Sequence, residues 1–322
     1  MIKRFVRYLL VLIFMCFAYG VYADTWPDRP IRMIVPYPPG GATDFSARAY
    51  SEYLGKILGQ PIVVENRGGA AGEIGAQYVA GAKPDGYTVL MGALGSLAIN
   101  SLLPSKQQQY QFPEAFDAVS MATSTPLAVV VRADLPVDNI SELIALAKEN
   151  PGELTYGSAG YGSSQHMTGE KFQQMTGTEL LHVAYRGSGP ALTDLLGGQV
   201  DIIFDTMPTL MGQIDNKNMR FLAVTTAERT LSLPNVPTLQ EEGIADFDIS
   251  TRYVLLAPQG TPAPILARLS DAMKQAAQQD EVQAAMESQG ADALTMDPDE
   301  TYAALVDEVA IWGEVVSAAK LE

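Results

Sequence analysis

Residues Pro36–Asp44, Pro-Tyr-Pro-Pro-Gly-Gly-Ala-Thr-Asp, constrain this chain more than any other stretch. Ile31–Val35 before them is an apolar run with the length and β-branching of a buried strand. After them, Phe45, Ala49, Leu54 and Leu58 recur at helical spacing up to Gly59. The stretch is therefore a strand-to-helix turn, in which Gly40 and Gly41 allow backbone angles and close approach that a Cβ forbids. Thr43 or Asp44 can cap the new helix, whose first N–H groups have no intrahelical partner. Such a turn suits an anion, because free amides and the positive helix end point the same way. A plain strand-helix joint would look the same. A second Gly-rich turn at Gly157–Ser164 tips the balance towards binding.

The first residues read as a secretion signal: Lys3, Arg4 and Arg7, an apolar stretch from Tyr8 to Phe17, and the small-residue site Val21-Tyr22-Ala23. Cleavage after Ala23 is expected, because the apolar stretch is short of the roughly 20 residues that span a bilayer. Met15 before Cys16 is too bulky for lipoprotein processing. Removing the signal takes the single cysteine with it, so neither disulfide nor thiol chemistry is expected of the mature chain. It also removes three of 21 basic residues and none of the 37 acidic ones, leaving a net charge of −19. That balance argues against nucleic acid and anionic membrane surfaces as partners. A small anion stays admissible, since exposed charges are screened beyond about 8 Å.

Strand and helix signals alternate along the rest, and about 300 residues is enough for two lobes. Ile62–Glu65, Thr88–Met91, Leu154–Tyr156, Leu181–Ala184, Val200–Phe204 and Met219–Thr225 read as strands. Val119–Val131 is strand-rich and can carry the chain from one lobe to the other, with Ile249–Leu256 as the return. Helices following strands at this rhythm imply an α/β fold with mostly parallel sheets and right-handed crossovers. The Gly-rich joints at Gly40-Gly41, Gly95-Ser96, Gly157–Ser164, Arg186–Gly189 and Asp205-Thr206 all follow strands. Open α/β sheets bind ligands at such strand ends, so these joints would face one another across a cleft.

In order and spacing the motifs resemble the solute receptors of tripartite tricarboxylate transporters, the Bug receptors. They are Arg29–Asp44, Val63–Arg67, Ala82–Thr88, Gly157–His166, Val183–Pro190 and Ala257–Pro262, and they span nearly the whole mature chain. The resemblance implies a two-lobed periplasmic-binding-protein fold of the type II, Venus flytrap kind. Lobe 1 would comprise residues 24–124 and 251–322 and lobe 2 residues 125–250, hinged near Ser124–Pro126 and Asp248–Thr251. It also implies a periplasmic receptor closing on a small organic carboxylate and delivering it to two different integral membrane subunits; nothing in the sequence calls for a cofactor or an obligate assembly, so a monomer without cofactor is expected. The carboxylate would be held by backbone amides and water at the loops matching Gly40–Asp44 and Gly157–Ser164.

Candidate ligand-binding residues follow from both lines. In the first turn they are Tyr37, Gly41, Ala42, Thr43, Asp44 and Phe45. Asp44 is read as cap and pocket wall, orienting water or accepting from a ligand hydroxyl or ammonium. Ser96, Ser158, Gly162, Ser163 and Ser164 offer donors, and Tyr37, Phe45 and Tyr161 a surface for the ligand body. His166 has a structural hydrogen bond or a ligand contact, and His182 is a core residue; two histidines without cysteine make no metal constellation. Arg186 can line the cleft or bridge to an acidic neighbour; Asp205 matches a family position that faces the cleft, for contact or capping, with Thr206 beside it. Arg252 departs from an aromatic-rich family stretch; inside the cleft it would hold a second carboxylate bidentately and favour a diacid, and otherwise it is a solvent-exposed arginine. Two other classes share parts of this pattern. A sensor-kinase receptor would carry the same site, and a hydrolase would need Ser163 and His166 paired, without any Gly-x-Ser-x-Gly elbow.

Overall fold

The computed structural model describes residues 26–103 and 109–319, so the signal lies outside the described residues. Strand β1 (Ile31–Val35) is followed by helix α1 (Ala42–Leu58), then β2 (Ile62–Asn66), α2 (Glu73–Ala80), β3 (Thr88–Ala93) and α3 (Leu94–Leu102). The long strand β4 (Phe116–Arg132) leads to α4 (Ile140–Glu149), β5 (Thr155–Ser158), α5 (Ser164–Thr176), β6 (Leu181–Ala184) and α6 (Ser188–Leu196). There follow β7 (Ile202–Thr206), the single turn α7 (Met207–Leu210), β8 (Met219–Val224), β9 (Ser250–Pro258), α8 (Ala263–Ala277), α9 (Asp280–Ser288), β10 (Asp292–Ala293) and α10 (Pro298–Ala319).

The strands run in the order β2-β1-β3-β9-β4-β7-β5-β6, with β8 and β10 also pairing β4. Strand β4 belongs to both halves. Its first part pairs β9 as far as Pro126↔Ser250, and its last part pairs β7 and β8 from Leu127↔Thr206 onward. Thr225 ties the crossing together: its hydroxyl accepts from Leu127 N at 3.1 Å and donates to Ile249 O at 2.6 Å.

Parallel pairing holds for β1 with β2 and β3, and for β5 with β6 and β7. The inner pairings through β4 and β9 are antiparallel, so each half is mixed rather than mostly parallel. A strand that leaves one half and a strand that returns run in opposite directions, and need no helical crossover between them.

Both faces of the central strands are buried, whereas the edge strands β2 and β6 are partly exposed. Tyr50 and Leu54 of α1 pack with Leu269 and Met273 of α8 on one side. Helix α10 lies across both halves, against α3, β4 and α5, with Leu305 and Trp312 buried. Among the described residues no helix is long and apolar enough to cross a membrane.

Candidate functional site

A small, partly open cavity of about 40 Å³ lies where the two halves meet, at the carboxyl ends of β1, β3, β5, β6 and β7. Tyr37, Gly41, Ala42, Thr43, Ser96 and Thr206 line it, as do Gln165, Ser188, Thr251 and Tyr253. No Asp, Glu, Lys, Arg or His is among its lining residues. Its polar groups are therefore hydroxyls, one amide side chain and backbone.

The β1–α1 turn builds one wall. Helix α1 starts at Ala42 after Gly41, and no side chain caps it. Its first amides are free of intrahelical partners and lie at the positive end of a 17-residue helix. Thr43 and Asp44 sit inside the helix and do not cap it. Asp44 turns away from the cavity: its carboxylate accepts from Gly40 N at 3.1 Å, Arg48 Nε at 2.9 Å and Asn66 Nδ2 at 2.9 Å. Burial works to raise its pKa, but these donors outweigh it and hold the carboxyl below its ordinary value. Asp44 thus braces the turn. Phe45 packs into the core beneath it.

The opposite wall is the start of α6. Gly187 is the uncapped N-cap at φ 144°, ψ 169°, a backbone region that only glycine adopts readily. Gly187, Ser188 and Gly189 leave free amides, and Pro190 at the third helical position has none to satisfy.

The loop Gly157–Ser164 reaches the cavity only through Ala159. Four of its amides are bound within the protein: Gly160 N to Ser158 Oγ at 3.1 Å, Gly162 N to His166 Nδ1 at 3.2 Å, Ser163 N to Gly160 O at 3.0 Å and Ser164 N to Ser96 Oγ at 3.2 Å. The Ser163 hydroxyl caps α5 by accepting from His166 N at 3.2 Å. With that hydroxyl on a backbone amide and Nδ1 accepting from Gly162, Ser163 and His166 do not form a nucleophile-base pair. Ser158 Oγ meets His182 Nε2 at 2.7 Å, and the two imidazoles stack at 3.9 Å with Tyr161 beside His166. Ser158, Tyr161, Gly162, Ser163, Ser164 and His166 therefore support the wall from behind, and Ala159 and Gln165 reach the cavity instead.

Asp205 lies directly beneath the floor. It is 1 % exposed, and its Oδ1 accepts from Ser188 Oγ at 2.8 Å, Thr206 N at 2.7 Å and Gln165 Nε2 at 3.3 Å. Burial raises its pKa despite these donors. Thr251, 3 % exposed, carries a hydroxyl with no hydrogen-bond partner among the described residues. It is a neutral donor or acceptor in the cavity wall.

Arg252 does not enter the cleft. Its guanidinium pairs with buried Glu308 of α10, whose other oxygen accepts from Trp312 Nε1 at 2.8 Å. Side chains alternate along β9, so Thr251 and Tyr253 face the cavity and Arg252 the opposite side. Period two was the signal that would have found them. Arg186, one residue before the α6 N-cap, is exposed and outside the lining. Pro38 and Ser188 were also missed as lining residues, although the Gly187–Pro190 joint carried a glycine N-cap signature. Among the described residues no group of His, Cys, Asp and Glu could hold a metal.

Residues 46–321 match the family described as tripartite tricarboxylate transporter family receptor. Protein BugT of Bordetella pertussis is 40% identical over 306 residues, covering 94% of this chain and 93% of BugT. The solved periplasmic binding protein BugD superposes with a TM-score of 0.87 at 34% identity, over 92% of this chain and 99% of BugD. The Rhodopseudomonas protein described as "R. palustris Rpa4515 with adipate" gives a TM-score of 0.88 at 33% identity, over 92% and 99%. These likenesses cover the two-lobed α/β architecture as well as the sequence. The chain belongs to the tripartite tricarboxylate transporter receptor family, a family of solute-binding receptors.

Proposed function

We propose that this protein is a periplasmic receptor for a small dicarboxylate, exported by its N-terminal signal and acting by closure of its two lobes without chemistry. One observation carries the reading: the cavity between the halves has no charged lining residue, and two uncapped helix starts, Gly41–Thr43 and Gly187–Gly189, border it. Helix N-termini hold carboxylates through backbone amides without a cationic side chain. One such start from each half gives each carboxylate of a diacid its own amide cluster. The likeness to a receptor described with adipate supports a diacid as ligand.

Lobe 1 takes residues 24–124 and 251–322, lobe 2 residues 125–250, and the hinges are Ser124–Pro126 and Asp248–Thr251. The partner switch of β4 at Pro126/Leu127 supports these boundaries. The closed receptor hands its ligand to the two membrane subunits of a tripartite transporter. Calorimetry on protein unfolded and refolded to strip bound solute tests the reading. Adipate, malate and related diacids should bind at micromolar level or tighter, and monoacids at least about tenfold more weakly. Binding of none of these acids would sink it.

A further inference from the structure

The motifs Arg29–Asp44, Val63–Arg67 and Ala82–Thr88 are only partly used by the cleft. Their remaining residues meet elsewhere, in a surface groove of about 850 Å³ between α2 and the starts of β1 and β3. Four cations line it, Arg29, Arg32, Arg67 and Lys83, on a chain whose net charge is −16. The arginines are held in place: Arg29 lies 3.9 Å over the Tyr87 ring and Arg67 3.8 Å over the Tyr78 ring. One carboxylate, Glu65, is shared by Arg32 at 2.7 Å and Arg67 at 2.6 Å, and Asp85 meets Arg29 at 3.3 Å. Two positive charges are left over, with guanidinium edges fixed by the rings. Such a preorganised cationic trough fits a chain of carboxylates better than a flat surface.

The groove is also joined to the cleft. From Arg67 the chain enters Gly68–Gly72, where Ala70 and Ala71 both hold left-handed backbone at φ 51° and 56°. The Ala71 carbonyl accepts from Tyr37 Oη at 3.0 Å and Asn100 Nδ2 at 3.1 Å. Ala71 also faces Gly160 of the other half, where an added Cβ would lie 3.5 Å from its own. One strained segment therefore runs from the groove residue Arg67 to Ala71, which lies against Tyr37 of the cavity wall and beside Gly160 of the other half.

We propose that this groove docks an acidic segment of the membrane transporter subunits. The proposal rests on the receptor reading above. Its test uses cells lacking the chromosomal copy, complemented with wild type, Arg29→Gln/Lys83→Gln or Arg29→Glu/Lys83→Glu, and measures uptake of radiolabelled adipate, or of the diacid that binds best in calorimetry. Arg29→Glu/Lys83→Glu should lower uptake at least about tenfold, with the glutamine pair in between, because opposed charges slow and weaken encounter. The purified variants should keep wild-type ligand affinity and melting temperature. Wild-type uptake by the glutamate pair, or affinity lost in parallel with uptake, overturns the groove. Binding of wild type to phosphatidylglycerol vesicles that the glutamate pair abolishes overturns the acidic-segment occupant in favour of lipid. Failure of wild type itself to restore uptake while still binding the diacid overturns the transport reading, and this docking proposal with it.

Discussion

Gly187 offers a way to separate closure from folding. As N-cap of α6 it holds φ 144°, ψ 169°, and an added Cβ would lie 3.2 Å from Pro38 Cδ and 3.4 Å from Pro38 Cγ across the cleft. Gly187→Ala therefore carries two penalties. The backbone strain, about 1–3 kcal/mol, is present whenever the protein is folded. It should lower the melting temperature by on the order of 5 °C. The contact with Pro38 exists only when the halves meet, and relieving it asks a neighbour to move by a few tenths of an ångström. We set that at about 1–2 kcal/mol, which weakens ligand affinity about 5- to 30-fold. Calorimetry on Gly187→Ala, Pro38→Ala and the double variant gives the coupling between the two positions. The double variant should recover most of the lost affinity while keeping the lowered melting temperature. If Gly187→Ala is less stable but binds the diacid as wild type does, the Pro38–Gly187 approach is not a feature of the bound state.

Other expectations follow from the same geometry. Burial lowers the His182 pKa from 6.5 to about 4, so the unfolded chain takes up a proton near pH 6.5 that the folded chain resists. Its share of stability is whole above pH 6.5 and is lost as pH falls towards 4, by up to about 3 kcal/mol; denaturant melts of wild type and His182→Gln at pH 7 and 4.5 should differ by that amount, and parallel curves would refute it. Asp205, raised by burial and lying under the cavity floor, opposes a bound dianion when ionised, so any affinity advantage of Asp205→Asn over wild type should shrink as pH falls through the raised Asp205 pKa. A calorimetric pH series on both proteins cancels the diacid's own titration, and a constant ratio of affinities would clear Asp205 of the effect. Arg252→Met strands the buried Glu308 carboxylate and should destabilise by about 2 kcal/mol while leaving affinity within about twofold; a large affinity loss would put Arg252 back in the site. Thr251→Val removes the unpartnered cavity hydroxyl and should weaken binding about fivefold, roughly one hydrogen bond, whereas equal titrations would show that the ligand does not use it.

Much of the fold was legible because buried strands and amphipathic helices write their periods into the sequence. Val119–Val131 reads as a crossing strand, and it became β4, the strand shared by both halves. What periodicity could not supply was direction: two crossing strands meet antiparallel, and no local signal says so. The Pro36–Thr43 turn was legible as part of the cavity wall because glycine at a helix start leaves amides free. Gly157–Ser164 was ambiguous for a physical reason, since serines that can donate to a ligand can equally satisfy their own loop, and here Ser158 and Ser163 do so. Arg252 stays open between cleft and surface until strand alternation is applied, which turns it away from the cavity. Its partner Glu308 lies 56 residues away in α10, where no local reading reaches.

The central claim is that two helix starts, one from each half, hold the two ends of a diacid. A crystal structure of the refolded protein with adipate, or with the diacid that binds best, tests it directly. The account predicts one carboxylate within about 3 Å of the Ala42 and Thr43 amides and the other within the same reach of Ser188 and Gly189, directly or through one water. A carboxylate seated on Arg252, or on the amides of Gly160–Ser164, would contradict it.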